Sequence, residues 1–310
     1  MFDIQHAMFV RCSIFEIRSS IIFMMLIDLH THSTASDGTL SPAELLSLAQ
    51  EKGLSALALT DHDTSSGLDE FLRESKKYPG IKVVPGVEVS VKHHHFSIHV
   101  VGLFIDHSSE PLEKMLCEIR KGRNARNDLI ALKLQKQDYD ITIEEVNALA
   151  GGECPGRPHF ASILVKKGYF STMQEAFDKC LKRGRSGYCK RELPMPSEAI
   201  DAIHSAGGLA IWAHPMSYAD ADRKTINKLL KFLVSKGLDG LEAYYPLFSP
   251  EQSKCLLELA GKYSLAVSGG SDFHGVNMKN IELGTGDGNL AIPFSVYETL
   301  KEFHGNKFIS

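Results

Sequence analysis

With 310 residues, 43% of them apolar and 23% charged, the chain is long enough for one large α/β domain, or for one domain interrupted by a smaller unit. Its formal charge of −4 excludes a general electrostatic grip on nucleic acid, so any polyanion must be held locally and no stable binding of duplex nucleic acid is expected. Six cysteines, Cys12, Cys117, Cys154, Cys180, Cys189 and Cys255, are scattered without a CxxC pair, which predicts reduced thiols in a cytoplasmic protein rather than a disulfide frame.

Residues 1–23 have no clear period and read as an N-terminal extension. The apolar run 21–27 follows Arg11 and Arg18, but it is too short to span a bilayer and lacks a small-residue cleavage site. It reads as a first strand, with Met24 or Met25 a natural start, and no membrane association is expected. The run leads into His30 and His32, two apart, so on a strand both imidazoles project from one face as a metal pincer. Asp37 follows in a loop ending at Gly38. Ser41, Pro42 and Glu44 then supply an N-cap, an N1 proline and an N3 acid, which start a helix that stops near Gly53. A second strand, 54–59, runs into Asp61, His62 and Asp63. Residues 66–77 read as a helix and 81–84 as a strand whose exit is Pro85-Gly86-Val87-Glu88. The histidine triplet 93–95 reads as an exposed turn. His99 lies on a strand in which Ser97, His99 and Val101 alternate with Ile98 and Val100.

From about residue 109 to 191 the character changes to helices and polar loops, which predicts an inserted helical subdomain. Its helices are expected over 112–137, 143–150, 160–167 and 172–183. The first carries Arg120, Lys121, Arg123 and Arg126, and Arg157 and His159 occupy a loop entering the third. The βα alternation then resumes: Ser197 caps a helix that Gly207-Gly208 ends, and strand 209–213 carries His214-Pro215 at its exit. Helix 222–236, strand 238–243, helix 250–262 and strand 265–268 follow. The last strand opens into a glycine-rich loop with Asp272 and His274. The barrel-like domain is thus expected over 24–108 and 192–310, with 109–191 inserted.

Nine candidate ligands collect at predicted strand ends: His30, His32, Asp37, His62, Glu88, His99, His214, Asp272 and His274. Carboxyl ends of strands are where α/β folds place their chemistry. Imidazole with carboxylate suits Zn, Mn or Fe, and the absence of cysteine argues against a structural thiolate zinc site. Each histidine alone reads as a hydrogen-bonded core residue, but the joint pattern points to metal. Arg123 and Arg126 are three apart on one helical face, where the plain reading is a solvated surface. Arg157 and His159, at a helix entrance, are well placed for a phosphate. Tyr244 and Tyr245 either stack a base or close the core.

At these residues the chain resembles the PHP (polymerase and histidinol phosphatase) phosphoesterases. The motifs DLHTHSTASDG, LTDHDT, PGVE, IHVVGLF, AHP and GSDFHG occur in family order between residue 27 and about residue 288. Within the insertion, RNARN, GRPHFA, EAFDKCLKRGRSGY and AIHSAGGLAIWAHP are more specific, and resemble the branch of nucleotide 3′,5′-bisphosphate phosphatases and 5′-to-3′ exoribonucleases of short RNA. Cys189 and Lys190 depart from the Val-Pro usual in that branch, and residues 1–25 have no counterpart. The resemblance implies a distorted (β/α)7 TIM-like barrel holding three divalent ions. One ion would take His30, His32, Glu88 and Asp272; a second the other Glu88 oxygen, His99 and His214; a third Asp37, His62 and His274. A shared hydroxide at such a paired-metal site is a nucleophile near neutral pH. The acids Asp28, Asp61 and Asp63 read as carboxylates behind the ligands or in turns, which orient histidine N–H groups.

The resulting expectation is a metal-dependent phosphoesterase in which Glu88, His62, Asp272 and His214 are catalytic. Arg123, Arg126, Arg157 and His159 would hold the phosphate of a nucleotide or short RNA. The proton donor is left open between metal-bound water and His159. Bisphosphate phosphatase and exoribonuclease on 5′-monophosphorylated short RNA use the same attack, and the sequence does not separate them. A histidinol-phosphate-type phosphatase would leave the insertion without a job. A non-enzymatic metal-binding accessory module would be expected to lose ligands, and this chain retains all nine.

Overall fold

A computed structural model of the chain describes residues 25–93, 96–151, 154–217 and 222–308. The expected extension, residues 21–24 of the apolar run, and His94 and His95 lie outside them. In chain order the elements are β1 (Ile27–Asp28), α1 (Pro42–Glu51), β2 (Ala56–Leu59), α2 (Leu68–Glu74) with a following 3₁₀ turn, β3 (Lys82–His93) and β4 (Phe96–Leu103). Next come α3 (Glu110–Gln135), α4 (Ile143–Ala150), α5 (Arg157–Lys166), α6 (Met173–Ala176) and α7 (Pro196–Ser205). The remainder is β5 (Leu209–Trp212), α8 (Arg223–Val234), β6 (Gly240–Tyr244), α9 (Pro250–Tyr263), β7 (Ala266–Gly269) and α10 (Phe294–Phe308).

The seven strands form one curled mixed sheet in sequence order. Pairing is parallel from β1 to β3 and from β5 to β7, but β4 runs antiparallel to both its neighbours. The backbone at the two ends of the sheet is also hydrogen-bonded: Leu29 N–H donates to Gly269 C=O, and Thr31 bridges Phe273 in parallel. Strand alternation separates two apolar layers. Leu57, Leu59, Val87, Val89, Ile98, Val100 and Trp212 face outward against α1, α2 and α7 to α9. Ala56, Ala58, Val84, Val101, Leu103, Leu209 and Ile211 face inward and are joined by Tyr297 and Leu300 of α10. Small inward residues are what a tightly curled sheet accommodates.

Several expectations are corrected. Among the described residues β1 is Ile27–Asp28, with Leu26 as a bridge to Pro293, so it ends one residue later than expected. β3 does not stop at Pro85. It pairs with β2 up to that residue and then runs on for eight residues against β4, which puts Glu88 in mid-strand just beyond the end of β2. Ser197 is not a cap: Pro196 is N1 of α7, and Glu198 accepts the N–H of Met195 at 2.6 Å. The helix expected over 172–183 is four α-residues followed by a π-turn, Phe177–Leu181. The helices between β4 and β5 bury a core of their own, including Ile130, Leu134, Phe160, Leu164 and Leu181.

α10 has no counterpart in the sequence expectation. It is tied to the opposite end of the sheet from the histidines by Asp239, which accepts the Ala210 N–H at 2.8 Å, faces His204 Nε2 at 2.7 Å and pairs with Lys307. Burial raises the Asp239 carboxyl, but these donors outweigh it and hold the group below the usual carboxylate range. A depressed carboxylate stabilises the fold above its unfolded value of about 4 and loses that contribution as pH falls below it. In Asp239→Asn the stability measured by chemical denaturation is therefore expected to be lower at neutral pH, and to fall less steeply than in the parent between about pH 5 and pH 3.

Candidate metal and phosphate site

The inward positions of the strands are apolar at the α10 end and become polar toward the other. There β1 and β2 run out into His30, His32 and His62, β3 contributes Glu88, β4 contributes His99, and the exits of β5 and β7 contribute His214, Asp272 and His274. Three of these exits need left-handed backbone at non-glycine residues: Asp63 (φ 55°), His214 (φ 32°) and Asp272 (φ 56°). Such strain persists only where surrounding structure over-determines it, and it clusters at functional sites. Gly270 meets the same crowding: a Cβ there would lie 2.3 Å from the His30 Cβ.

All nine sequence candidates converge. Glu88 is fully buried, and its two oxygens face different partners. Oε1 lies 2.7 Å from His99 Nδ1 and 3.0 Å from His214 Nε2. Oε2 lies 2.7 Å from His62 Nδ1, 3.3 Å from His30 Nε2 and 3.4 Å from His32 Nε2. Asp272 Oδ1 is 3.0 Å from His32 Nε2, and Asp37 Oδ1 is 3.3 Å from His274 Nε2. Three sets have ligand atoms all within 4.8 Å of one another: His30, His32, Glu88, Asp272; His32, Asp37, His62, His274; and His62, Glu88, His99.

The electrostatics follow from this crowding. Burial raises the Glu88 carboxyl, yet His62, His99 and His30 hold it well below the usual range. Burial drives His32 down to about 3, helped by His274 and His62. His274 loses some basicity to burial, but Asp37 and Asp272 lift it to about 10. The decisive observation for a metal is the set of orphaned atoms. His30 Nε2, His32 Nε2, Asp37 Oδ1, His62 Nδ1, Glu88 Oε2 and Asp272 Oδ1 are buried and lack a hydrogen-bond partner. Buried polar atoms are costly unless satisfied, and a group of them aimed at common points is what divalent cations satisfy. The residues therefore fit divalent ions.

Asp28, Asp61 and Asp63 are held by backbone N–H groups, hydroxyls and guanidinium groups. Asp28 accepts from the N–H groups of His30, Ser271 and Gly284. Asp61 accepts from Ser33 and Ser36. Asp63 binds Ser90, Arg123 and Arg191. Serine hydroxyls are the nearest donors to Asp28 (Ser271 Oγ, 2.5 Å) and to Asp61 (Ser36 Oγ, 2.5 Å), and the Arg123 guanidinium is the nearest to Asp63. The orienting acid is Glu242, on the inward face of β6: Oε1 accepts His30 Nδ1–H at 3.1 Å and Oε2 accepts the His214 N–H at 2.7 Å. Sequence reading missed it because Leu-Glu-Ala-Tyr has no ligand-like spacing; the one available signal was a buried-strand acid. Tyr245 is likewise committed, donating its O–H to Asp272 Oδ2 at 3.0 Å, and Tyr244 packs on the inner core.

Above the cluster a cavity of about 520 Å³ is lined by Asp37, His62 and His99 on one side. Arg123, Arg126, Arg157, Arg183, Lys190, Arg191 and Lys92 supply positive charge to the rest of the lining, between uncharged residues such as Phe177 and Tyr188. Arg157 and His159 are not in a loop. Gly156 is the N-cap of α5 and Pro158 follows at N2, so both residues lie in the first helical turn. His159 Nδ1 accepts the Gly156 N–H at 3.0 Å, which leaves its proton on Nε2, and burial lowers its basicity. Arg123 and Arg126 are each only 6% exposed, so the solvated-face reading fails for both.

A family model described as the PHP domain matches residues 28–190. The 5′-3′ exoribonuclease Rnm of Salmonella typhimurium is 37% identical over 253 residues, covering 81% of this chain and 86% of that protein. The 3′,5′-nucleoside bisphosphate phosphatase of Chromobacterium violaceum is 34% identical over 252 residues, covering 81% and 88%. Among solved structures, an amidohydrolase from Chromobacterium violaceum with bound sulfate and no metal superposes with a TM-score of 0.80 at 31% identity, covering 89% of this chain and 96% of that one.

The hydrogen bonds of Glu242 generate a direct test. Glu242→Gln is expected to fold but to bind Mn or Zn about 10- to 100-fold more weakly, because the amide keeps only one of the two acceptor oxygens that serve the His30 ring and the His214 backbone N–H. Metal retained after dialysis against graded chelator is the readout, and retention equal to that of the parent would remove Glu242 from this role.

Proposed function

This chain belongs to the PHP domain family, and from that premise we propose that it hydrolyses terminal phosphoesters of nucleotides or short oligonucleotides at a site for three divalent ions. It is a metal-dependent phosphoesterase; the substrate class and the ion count are the parts proposed. The observation that carries the reading is the set of orphaned ligand atoms directly beneath an arginine-lined cavity. The two faces of Glu88 support its role as a bridge. One ion would be held by His30, His32, Glu88 and Asp272, a second by the other Glu88 oxygen with His99 and His214, and a third by Asp37, His62 and His274. His62 is close enough to Glu88 to serve the second as well. Mn, Fe and Zn all suit this donor set. Divalent ions bound there lower the pKa of water and neutralise phosphoryl oxygens.

The rest is done by protein groups. Residues 109–191 act as a substrate-binding insertion between the two parts, 24–108 and 192–310, of a distorted (β/α)7 barrel. Arg123, Arg126 and Arg157 supply positive charge against the phosphate, and the N-terminus of α5 adds its dipole. His159 presents Nε2–H as a neutral hydrogen-bond donor. Because its other nitrogen already accepts a backbone N–H, it positions an anion and does not deliver a proton to the leaving oxygen. The substrates would be small nucleotides or short RNA in the cytoplasm. Among the described residues, no helix is long and apolar enough to cross a membrane.

Two outcomes are expected. His62→Ala and Asp272→Ala should each fold and lose measurable phosphate release, since each removes a ligand from a shared set; near-normal turnover by either purified variant would sink the metal assignment. A panel of adenosine 3′,5′-bisphosphate and a 5′-phosphorylated tetranucleotide, run with defined Mn, Fe or Zn, should give hydrolysis of at least one, and product identity decides between phosphatase and exoribonuclease. No hydrolysis of either with any metal would overturn the substrate class.

A further inference from the structure

The cavity holds more cations than acids, and the structure does not treat its arginines alike. Asp63 follows His62 at the exit of β2 and is fully buried. Its N–H donates to Glu88 C=O at 2.9 Å, and its carboxylate accepts the Ser90 N–H at 2.7 Å and the Ser90 O–H at 3.1 Å. The same carboxylate pairs with Arg123 of α3 and accepts Arg191 Nη1 at 3.1 Å. Its carbonyl accepts Arg120 Nη1 at 3.2 Å. One residue thus ties both chain segments that enter and leave the 109–191 region to the strand carrying Glu88. Arg126, one helical turn beyond Arg123, receives none of this. Among the described residues its Nε and Nη2 are buried without a hydrogen-bond partner, and it is 6% exposed.

We propose that Asp63 is a positioning residue that divides the arginines of the cleft. It commits Arg123 and Arg191 to bracing the helical region over the ligand cluster, and so holds Arg126 in place as the guanidinium that receives the substrate's anionic group. This rests on the phosphoesterase reading above and adds to it, since there Arg123 and Arg126 were equivalent. A buried guanidinium with two unsatisfied nitrogens is costly until an anion completes it, whereas Arg123 has its carboxylate and leaves only Nε unsatisfied. Burial, with repulsion from Arg123, Arg191 and Arg157, disfavours the charge on Arg126, which is the condition an arriving phosphate relieves. Residues that act through one another are non-additive when both are changed. Asp63 should therefore matter for affinity only while Arg126 is present.

The experiment is a double-mutant cycle on the metal-loaded enzyme with Asp63→Asn, Arg126→Gln and the pair, using whichever panel substrate the parent hydrolyses. Binding of inorganic phosphate is measured in parallel by calorimetry, and metal content by emission spectroscopy. Each single change is expected to raise KM, and to weaken phosphate binding, by about tenfold or more, with a smaller change in kcat. The pair should be no worse than Arg126→Gln alone to within about twofold. Lys121→Gln, on the exposed side of α3, should change neither. Multiplying effects in the double variant would overturn the proposal, as would an unchanged KM in Asp63→Asn or a loss of metal that accounts for its defect. Should Asp63→Asn fail to fold, Arg191→Gln replaces it in the cycle, with a smaller rise in KM and the same non-additivity expected. If the parent hydrolyses no phosphoester, the function fails, while the phosphate calorimetry still reads the coupling of Asp63 to Arg126.

Discussion

The Glu88 carboxylate is the interaction on which the rest of this structure depends. A carboxylate taken wholly out of water is costly unless positive or donating groups surround it. Here the surroundings are imidazoles from β1, β2, β4 and the β5 exit, with each oxygen facing its own set. That arrangement requires β3 to outrun β2 and to turn its pairing from parallel to antiparallel after Pro85. It also requires the exits of β5 and β7 to bend sharply, and both His214 and Asp272 have left-handed backbone. The strain, the crowding at Gly270 and the unsatisfied nitrogen and oxygen atoms have one source, a shell of ligands built around points where cations belong.

A second constraint is charge balance across the cleft. The cluster below is rich in acids and imidazoles, whereas the cavity above is lined by arginine and lysine. Asp63 stands at the boundary and neutralises part of that positive charge, while Arg126 has no such partner among the described residues. On the proposed function, a phosphate entering between them would meet cations on one side and the ligand cluster on the other, and affinity and chemistry would be supplied by different parts of the chain. The helical region can do this because it has an apolar core of its own and needs only a few polar ties to the sheet.

Much of the site was legible in the sequence because metal ligation demands particular side chains, and His-x-His or Asp-x-His pairs on apolar strands are rarely produced by core packing alone. The capping box at Ser41 and Glu44 was legible for a related reason: its hydrogen bonds close within four residues. Glu242 escaped, and so did the Asp272 partner of Tyr245, because these contacts span almost 30 residues or more than 200 residues. The Asp63 carboxylate opposite Arg123 was hidden for the same reason, since a helical spacing of three shows that two side chains share a face but not which has a carboxylate opposite.

By itself the sequence determined the chemistry available: nine imidazole and carboxylate side chains suited to divalent ions, arginines among the helices that follow β4, and an alternation of strands and helices around them. Only the tertiary structure decided the direction of β4, the mid-strand position of Glu88, the acid that orients His30 and His214, and the arginines that Asp63 holds. Ligand identity is a property of single residues and short spacings. Pairing direction, strain and the sharing of one carboxylate among distant cations arise only when segments far apart in the chain compete for the same buried space.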